Sequence, residues 1–281
     1  MQLLDGKALS EKIKQELKNE SEILTQKGIT PCLAVILVGD DPASQTYVNS
    51  KEKSCQSAGI ASIVKRLPAS TSEKELLQII DTLNNDTTVD GILVQLPVPK
   101  HIDSTKIIEA IDPKKDVDGF HPFNVGRLMA GLDGFVPCTP FGVMKLLEAY
   151  NINVRGMDTC VIGASNIVGK PMMNLLLNAS ATVEICRSST KNLKEHTLRA
   201  DLIVVGVGKI NLLTADMVKE GAIVIDVGIN RNSGGKIVGD VDFANVAPKC
   251  SYITPVPGGV GPMTIAMLLA NTVKSAKQRL M

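Results

Sequence analysis

The feature that most constrains the fold is a regular alternation of short apolar runs with amphipathic segments. Apolar runs of strand length occur at Cys32–Val38, 60–67 and 90–96 in the first half, and at 159–162, 182–186, 202–205 and 222–227 in the second. The segments between them have the spacing of amphipathic helices. Strands that alternate with helices predict parallel sheets joined by crossover helices. The fold class predicted from this pattern is α/β.

Capping residues mark several element boundaries between these runs. Asp41 followed by Pro42 is expected to begin one helix. Ser72 and Glu75 have the spacing of a capping box, which predicts a second helix from this point. The segment Ile229–Asp240, INRNSGGKIVGD, has the pattern of a hairpin that turns around Asn-Ser-Gly-Gly.

The chain is predicted to form two domains. Its 281 residues are many for one compact domain, and the stretch from Pro113 to Thr139 is rich in Asp, Gly and Pro. We interpret this stretch as the boundary region between the domains. The last predicted helix has no strand after it and is expected to return to the first domain. The predicted domains are therefore 1–118 with 263–281, and 119–262.

Composition and charge exclude several classes of function. A formal net charge of +1 gives no reason to expect nucleic acid or an acidic membrane as a partner. The chain contains neither an apolar run long enough to span a membrane nor a secretory signal at its N-terminus. Its six cysteines form no CxxC pair and its three histidines are scattered, so we predict no metal site. Unpaired, buried cysteines are typical of a cytoplasmic protein.

A glycine-containing loop in the second half predicts a dinucleotide site. The run 159–162 leads directly into Gly163-Ala-Ser-Asn-Ile-Val-Gly169 and then into a helix. Such a loop lets a pyrophosphate approach the backbone N–H groups at a helix N-terminus. Ser165 takes the place of the usual middle glycine, so an ordinary strand-to-helix turn is the alternative. The next strand ends at Arg187-Ser188-Ser189, which suits the 2′-phosphate of NADP better than NAD; the alternative is an exposed arginine in a turn.

A second group of polar residues is expected at the carboxyl ends of strands in the first domain. Tyr47 and Lys51 are four residues apart and share one face of a helix. Gln95 follows an apolar strand, where a buried amide needs partners. Asp116 and Asp118 open the boundary region. Each residue taken singly is ordinary, and only their common position indicates a site.

Six segments of the sequence match one known family in order and spacing. They are Tyr47-Val-Asn-Ser-Lys51, Gln95-Leu-Pro, Asp116-Val-Asp-Gly-Phe-His-Pro, Pro137-Cys-Thr-Pro, Gly163-x-Ser-x-x-Val-Gly-Lys-Pro and Pro255-Val-Pro-Gly-Gly-Val-Gly-Pro-Met-Thr264. Over essentially its whole length the chain resembles the bifunctional methylenetetrahydrofolate dehydrogenase/methenyltetrahydrofolate cyclohydrolase family. The last of these segments is the most specific.

The resemblance implies both a reaction and a fold. The reaction would be NADP-dependent oxidation of 5,10-methylenetetrahydrofolate to 5,10-methenyltetrahydrofolate, followed by hydrolysis to 10-formyltetrahydrofolate. The fold would be two parallel-sheet α/β domains, of which the second is a Rossmann-type dinucleotide-binding domain. Family members are typically homodimers joined through that domain, and the product is a one-carbon donor for purine biosynthesis.

The resemblance also implies roles for individual residues. In the substrate site, Lys51 would be catalytic, Gln95 would position it and Asp118 would hold the pterin ring. Tyr47 would line the folate slot, and the turn around Pro257, Gly258 and Gly259 would cover the substrate. The cofactor would contact Gly163, Ala164, Ser165, Arg187, Ser188 and Ile229. The family commonly has arginine where Ala164 stands and histidine where Arg187 stands, so the choice between NADP and NAD is open at this stage.

Two other functions are compatible with parts of the sequence. A shikimate-type dehydrogenase of a small hydroxy acid would share a catalytic lysine and a Rossmann domain, but it leaves Asp116-Val-Asp-Gly and the segment 255–264 unexplained. A non-catalytic NADP-binding regulator would not need Lys51, Gln95 and Asp118.

Overall fold

The structure is a computed structural model that describes residues 1–280. Its strands are β1 (Gln2–Leu3), β2 (Cys32–Val38), β3 (Ala61–Leu67), β4 (Gly91–Val94), β5 (Asp158–Ile162), β6 (Thr182–Cys186), β7 (Leu202–Val205), β8 (Ile223–Asp226), β9 (Asn230–Arg231), β10 (Ile237–Val238) and β11 (Tyr252–Ile253). Its α-helices are α1 (Gly6–Gln26), α2 (Pro42–Ser57), α3 (Glu73–Asn85), α4 (Ser104–Ala110), α5 (Pro122–Met129), α6 (Cys138–Ala149), α7 (Gly169–Asn178), α8 (Leu193–Arg199), α9 (Phe243–Val246) and α10 (Val260–Lys277). These elements confirm the predicted α/β class.

The chain divides into two compact units. The six-stranded unit consists of Met1–Ser10 and Pro137–Thr264, and the three-stranded unit consists of Glu11–Val136 and the segment that begins at Ile265. The prediction placed the first ten residues in the same domain as residues 11–118. In the structure they lie in the six-stranded unit, because β1 pairs with β11. Residues 119–136 stay with the three-stranded unit, where Asn124 donates a hydrogen bond to the Asp116 carboxylate.

The three-stranded unit contains a parallel sheet with the order β3-β2-β4. Every residue of the central strand β2 is buried, which explains why its sequence is apolar without interruption. Its side chains pack with buried residues of α3, including Leu76 and Ile80. Part of α10 belongs to this unit, and there the Asn271 amide donates a 2.8 Å hydrogen bond to the Val117 carbonyl.

The six-stranded unit contains a parallel sheet with the order β1-β11-β8-β7-β5-β6. After β5 the chain adds β6 on one side and then crosses to add β7 on the other. This reversal is the topological switch point of a doubly wound sheet, where ligands bind beyond the carboxyl ends of the strands. The predicted hairpin is confirmed, because β9 and β10 pair in an antiparallel ribbon.

The capping residues read from the sequence are confirmed. The Asp41 carboxylate accepts the Ser44 N–H at 2.8 Å, and Ser72 and Glu75 form a complete capping box. The last helix begins at Val260, before the predicted Met263, because Pro262 is tolerated within the first turn of a helix. Four helices, α4, α5, α8 and α9, were not predicted individually. Among residues 1–280, no helix is both long and apolar enough to cross a membrane.

Candidate active site

Lys51 and Gln95 are in direct contact within the three-stranded unit. Lys51 lies on α2, one turn after Tyr47, and Gln95 is the first residue after β4. The Lys51 Nζ donates a hydrogen bond to the Gln95 Oε1 at 2.9 Å, and both side chains are partly buried. The structure therefore joins two residues that the sequence placed on separate elements.

The orientation of the Gln95 amide is fixed by its other hydrogen bonds. Its backbone N–H donates to the Ile36 carbonyl at 2.8 Å, which continues the ladder of β2 and β4 by one residue. Its side-chain Nε2 donates to the Leu96 carbonyl at 2.7 Å, so the side-chain oxygen is the atom left for the lysine. Gln95 thus accepts from the lysine amine and holds it near the carboxyl end of β4.

Tyr47 presents an exposed ring beside this pair. Its residue exposure is 43%, although the neighbouring Val48 on the same helix is fully buried. A partly exposed aromatic ring next to a polar pair is suited to contact a flat ligand. The structure thus leaves Tyr47 available for the role that the resemblance implies.

Asp116 and Asp118 differ sharply in environment. Asp116 is 2% exposed, and its carboxylate accepts the N–H groups of Phe120 and His121 and the amide of Asn124. Burial raises the pKa of Asp116 from 3.8 to about 6, although these hydrogen bonds act in the opposite direction. Asp116 therefore organises the turn 117–121. Asp118 lies within that turn and is only partly buried, which leaves it the better placed of the two to meet a ligand.

The segment 254–264 forms a tight turn in the six-stranded unit. Gly258 has φ of +106°, which favours glycine. The Lys7 N–H donates a 2.8 Å hydrogen bond to the Gly258 carbonyl. A side chain at Gly6 would meet the Gly259 carbonyl oxygen at 1.9 Å. The first residues of the chain thus hold the turn that carries Pro257, Gly258 and Gly259. Sequence reasoning missed this role, for which the only signal was a glycine at the start of a helix.

The loop after β5 has the shape that a dinucleotide site requires. Gly163 has φ of +122°, and a side chain at Gly169 would meet the Gly163 carbonyl oxygen at 1.9 Å, so both positions need glycine. Ser165 is exposed; its Oγ accepts the Val168 N–H at 3.2 Å and helps to shape the loop before α7. Ala164, between them, is partly buried. Close backbone packing and a helix N-terminus at this place fit a pyrophosphate.

The turn that carries Arg187 and Ser188 lies next to this loop. The Gly163 N–H donates a 2.8 Å hydrogen bond to the Cys186 carbonyl, so Gly163 and Arg187 leave the sheet side by side. The Arg187 N–H donates to the Thr190 Oγ1 at 2.9 Å, and the Thr190 N–H donates back to the Arg187 carbonyl at 2.8 Å. Arg187 and Ser188 are both exposed. An exposed cation at this strand end fits the 2′-phosphate of NADP.

Ile229 lies at the same edge of the sheet, three residues after β8, and is 50% exposed.

Within residues 1–280, no His, Cys, Asp and Glu side chains are grouped so that they could hold a metal ion. All six cysteines are buried, and among the described residues none of them forms a disulfide. Burial raises the pKa of the Cys55 thiol to about 12, which keeps it protonated and unreactive.

Comparison with known proteins identifies the family. The model of the tetrahydrofolate dehydrogenase/cyclohydrolase catalytic domain matches residues 4–118, and that of its NAD(P)-binding domain matches residues 137–280. The chain belongs to the tetrahydrofolate dehydrogenase/cyclohydrolase family. The bifunctional protein FolD of Nautilia profundicola is 66% identical over 277 residues, which cover 99% of this chain and 98% of that protein.

Solved structures of this family have the same fold. The FolD methylenetetrahydrofolate dehydrogenase/cyclohydrolase of Campylobacter jejuni superposes with a TM-score of 0.99 at 64% identity, over 99% of each chain. The Trypanosoma brucei enzyme, solved in complex with NADP and an inhibitor, superposes with a TM-score of 0.94 at 36% identity, over 98% of this chain and 97% of that one. Membership of the tetrahydrofolate dehydrogenase/cyclohydrolase family covers both units and disfavours the shikimate-type alternative.

Proposed function

We propose that this chain oxidises 5,10-methylenetetrahydrofolate to 5,10-methenyltetrahydrofolate with NADP and then hydrolyses the product to 10-formyltetrahydrofolate. The observation that carries this proposal is the contact between the Lys51 amine and Gln95, on a chain that belongs to a family with both activities. A lysine amine held at one point by a fixed amide is the kind of group that hydrolysis needs.

Lys51 is assigned the proton transfers of the hydrolytic step. Water must lose a proton as it adds to the cationic methenyl carbon, and the adduct must then open with proton transfer to a ring nitrogen. A positioned amine can take the first proton and return it to the ring nitrogen as the C–N bond breaks, while the hydroxyl proton of the adduct leaves to solvent, so that one proton is released overall. Gln95 keeps the amine in one place, which removes part of the entropic cost of aligning it.

Asp118 and the turn 254–264 are assigned to substrate binding. A carboxylate facing the 2-amino group and ring N–H of a pterin accepts a pair of hydrogen bonds. The exposed ring of Tyr47 supplies an apolar face for the same ring system. Pro257, Gly258 and Gly259 form a turn with little side-chain bulk, which suits close backbone contact with a flat ligand.

The loop after β5 and the turn after β6 are assigned to the cofactor. Gly163, Ala164 and Ser165 would lie against the pyrophosphate and ribose, with Ile229 near the nicotinamide end. Arg187 and Ser188 would bind the 2′-phosphate, so that Arg187 replaces the basic group that Ala164 cannot supply. Bound NADP supplies the acceptor for the hydride. NAD is the alternative cofactor if Arg187 does not engage the phosphate.

The setting of the activity follows from the family resemblance. We assign the chain to the cytoplasm, where its six cysteines stay reduced. We also propose a homodimer joined through the six-stranded unit, and a role in supplying one-carbon units for purine biosynthesis.

A spectrophotometric assay tests the proposed function. The purified chain is mixed with methylenetetrahydrofolate and either NADP or NAD, and formation of reduced nicotinamide and of methenyltetrahydrofolate is followed. We expect reduction of NADP and faster decay of added methenyltetrahydrofolate than without enzyme. Reduction of NADP only with a shikimate-like hydroxy acid would favour the rival dehydrogenase, and no turnover of any substrate would favour a non-catalytic regulator.

A further inference from the structure

Two buried aspartates of the six-stranded unit have no place in the site described above. Asp226 ends β8 and is 3% exposed, and Asp240 follows the hairpin strand β10 and is 0% exposed. Burying a carboxylate is costly unless hydrogen bonds compensate for the loss of water. The donors that compensate for these two carboxylates show what the carboxylates organise.

Asp240 accepts hydrogen bonds from two separate loops. Its Oδ2 accepts the N–H groups of Val207 and Gly208 at 2.6 and 3.0 Å. Its Oδ1 accepts the Lys209 N–H at 2.9 Å and the Asn230 side-chain amide at 2.8 Å. Three successive backbone N–H groups after β7 therefore converge on one carboxylate, which also holds the start of the hairpin.

Asp226 in turn holds the segment that carries Asp240. Its Oδ1 accepts the N–H groups of Gly228 and Asp240 at 2.9 and 3.0 Å, and its Oδ2 accepts the Val241 N–H at 2.9 Å. A side chain at Gly228 would meet the Asp240 Oδ1 at 2.3 Å, so the packing around the carboxylates leaves no spare room. The two aspartates thus form one unit with a defined geometry.

The loops held by Asp240 lie where a dinucleotide is expected to bind. The loop 206–209 follows β7 and the loop 163–168 follows β5, on the two sides of the topological switch point. The two loops touch, since a side chain at Gly163 would meet the Gly206 carbonyl oxygen at 2.8 Å. The two aspartates hold the loops 206–209 and 227–230. Val207 on the first loop is 42% exposed and Ile229 on the second is 50% exposed, so both offer apolar surface at this edge of the sheet.

We infer that Asp240, supported by Asp226, is a positioning residue for the cofactor: it orders the loops 206–209 and 227–230 against which the nicotinamide end of NADP is placed. The inference rests on the proposed function and extends it to residues that touch neither substrate nor cofactor. The inference predicts that loss of Asp240 affects one of the two activities and not the other. Oxidation needs the ordered loops, whereas hydrolysis of added methenyltetrahydrofolate needs no nucleotide.

The substitution Asp240→Asn tests this inference. Each carboxylate oxygen accepts two N–H groups, so whichever oxygen the amide nitrogen replaces, two donors lose their acceptor. We expect the dehydrogenase kcat/KM for NADP to fall about ten- to a hundredfold, as a displaced cofactor requires. We expect cyclohydrolase activity, assayed from methenyltetrahydrofolate without nucleotide, to stay within about twofold of wild type.

Asp242→Asn is the matched control. Asp242 lies two residues further along, and its carboxylate accepts the exposed Asn245 amide at 2.7 Å. The same chemical change at this position should leave both activities unaltered. An equal loss of both activities in Asp240→Asn would show a merely structural role and overturn the inference, and so would unchanged dehydrogenase activity.

Asn230→Ala provides a second variant if Asp240→Asn does not fold. It removes one donor to Asp240 and leaves the buried carboxylate in place. A smaller loss confined to the dehydrogenase supports the inference, whereas parallel losses or none overturn it. A wild-type protein without either activity would refute the proposed function itself, which is a different result from either outcome in the variants.

Discussion

The Lys51 amine donates to the Gln95 side-chain oxygen at 2.9 Å, while the Gln95 side-chain nitrogen donates to its neighbour's carbonyl at 2.7 Å. The second hydrogen bond determines the first, because it fixes which end of the amide faces the lysine. An amine held in this way at the end of a parallel strand is the central element of the proposed hydrolytic step. Replacing either Lys51 or Gln95 tests this role.

Replacement of Lys51 by methionine should separate the two activities. The methionine retains most of the side-chain length but cannot transfer a proton, so cyclohydrolase activity should fall about a hundredfold or more. A measurable part of the dehydrogenase should remain, because the nicotinamide accepts the hydride without help from a base. Methenyltetrahydrofolate should therefore accumulate, as measured by its near-ultraviolet absorbance during turnover with NADP.

Lys53→Met is the control for this variant. Lys53 is exposed on the same helix, two residues after Lys51. The control should behave like wild type. Rapid decay of the intermediate in Lys51→Met, faster than without enzyme, would remove Lys51 from the mechanism.

Replacement of Gln95 by leucine should act through Lys51. Loss of the acceptor frees the amine, and cyclohydrolase activity should fall about tenfold, the value of one hydrogen bond. In a Lys51→Met background the same change should add little, because the residue that Gln95 positions is already gone. Additive effects in this double-mutant cycle would contradict a positioning role.

The sequence specified the sheets better than it specified the connections. The bounds of β2, β6 and β7 were predicted to the residue, since strands of parallel sheets are apolar runs between clear breaks. The two-residue strands β1 and β11 were missed because they are too short to have a pattern. Helix α5 was missed because the Asp-, Gly- and Pro-rich composition around it is typical of a loop.

The residues of the candidate site also differ in how far the sequence alone predicts them. Lys51 and Gln95 could be predicted as candidates because both were expected at the carboxyl ends of strands in one sheet, and because an amide in an apolar run needs partners. The bonds of Asp226 and Asp240 to backbone N–H groups depend on how a hairpin returns to the sheet. No local pattern reports such contacts, since any aspartate after a turn has the same appearance in sequence.

Replacement of Asp118 by alanine should impair both activities together. Both steps use the same pterin, and a methyl group cannot accept the paired hydrogen bonds that the carboxylate offers. We expect kcat/KM to fall about ten- to a hundredfold for methylenetetrahydrofolate and for methenyltetrahydrofolate alike. Asp118→Asn, which retains one acceptor oxygen, should show a smaller and equally shared loss. Loss of only one activity would show that Asp118 is not a common anchor.

Replacement of Arg187 by alanine should weaken the preference for NADP over NAD. One charge-assisted contact to the 2′-phosphate contributes about 1.5–3 kcal/mol, or roughly one to two decades in affinity. The ratio of kcat/KM for NADP to that for NAD should fall by this factor, mainly through the NADP value. Arg155→Ala is the control. Arg155 is exposed and precedes β5, whereas Arg187 follows β6, so the two arginines lie at opposite ends of these parallel strands. An unchanged ratio would exclude Arg187 as the determinant.

Replacement of Asp116 by asparagine should change how stability depends on pH. Burial raises the pKa of Asp116 from 3.8 to about 6, so the folded protein binds this proton more tightly than the unfolded chain. The resulting stabilisation is complete below pH 3.8 and is lost as the pH rises through 6, by about 3 kcal/mol in total. Asparagine does not titrate, so the free energy of unfolding of the variant should lack this decline between pH 4 and about pH 7. Urea unfolding of both proteins across this range measures the difference. Parallel curves for wild type and variant would contradict the raised pKa.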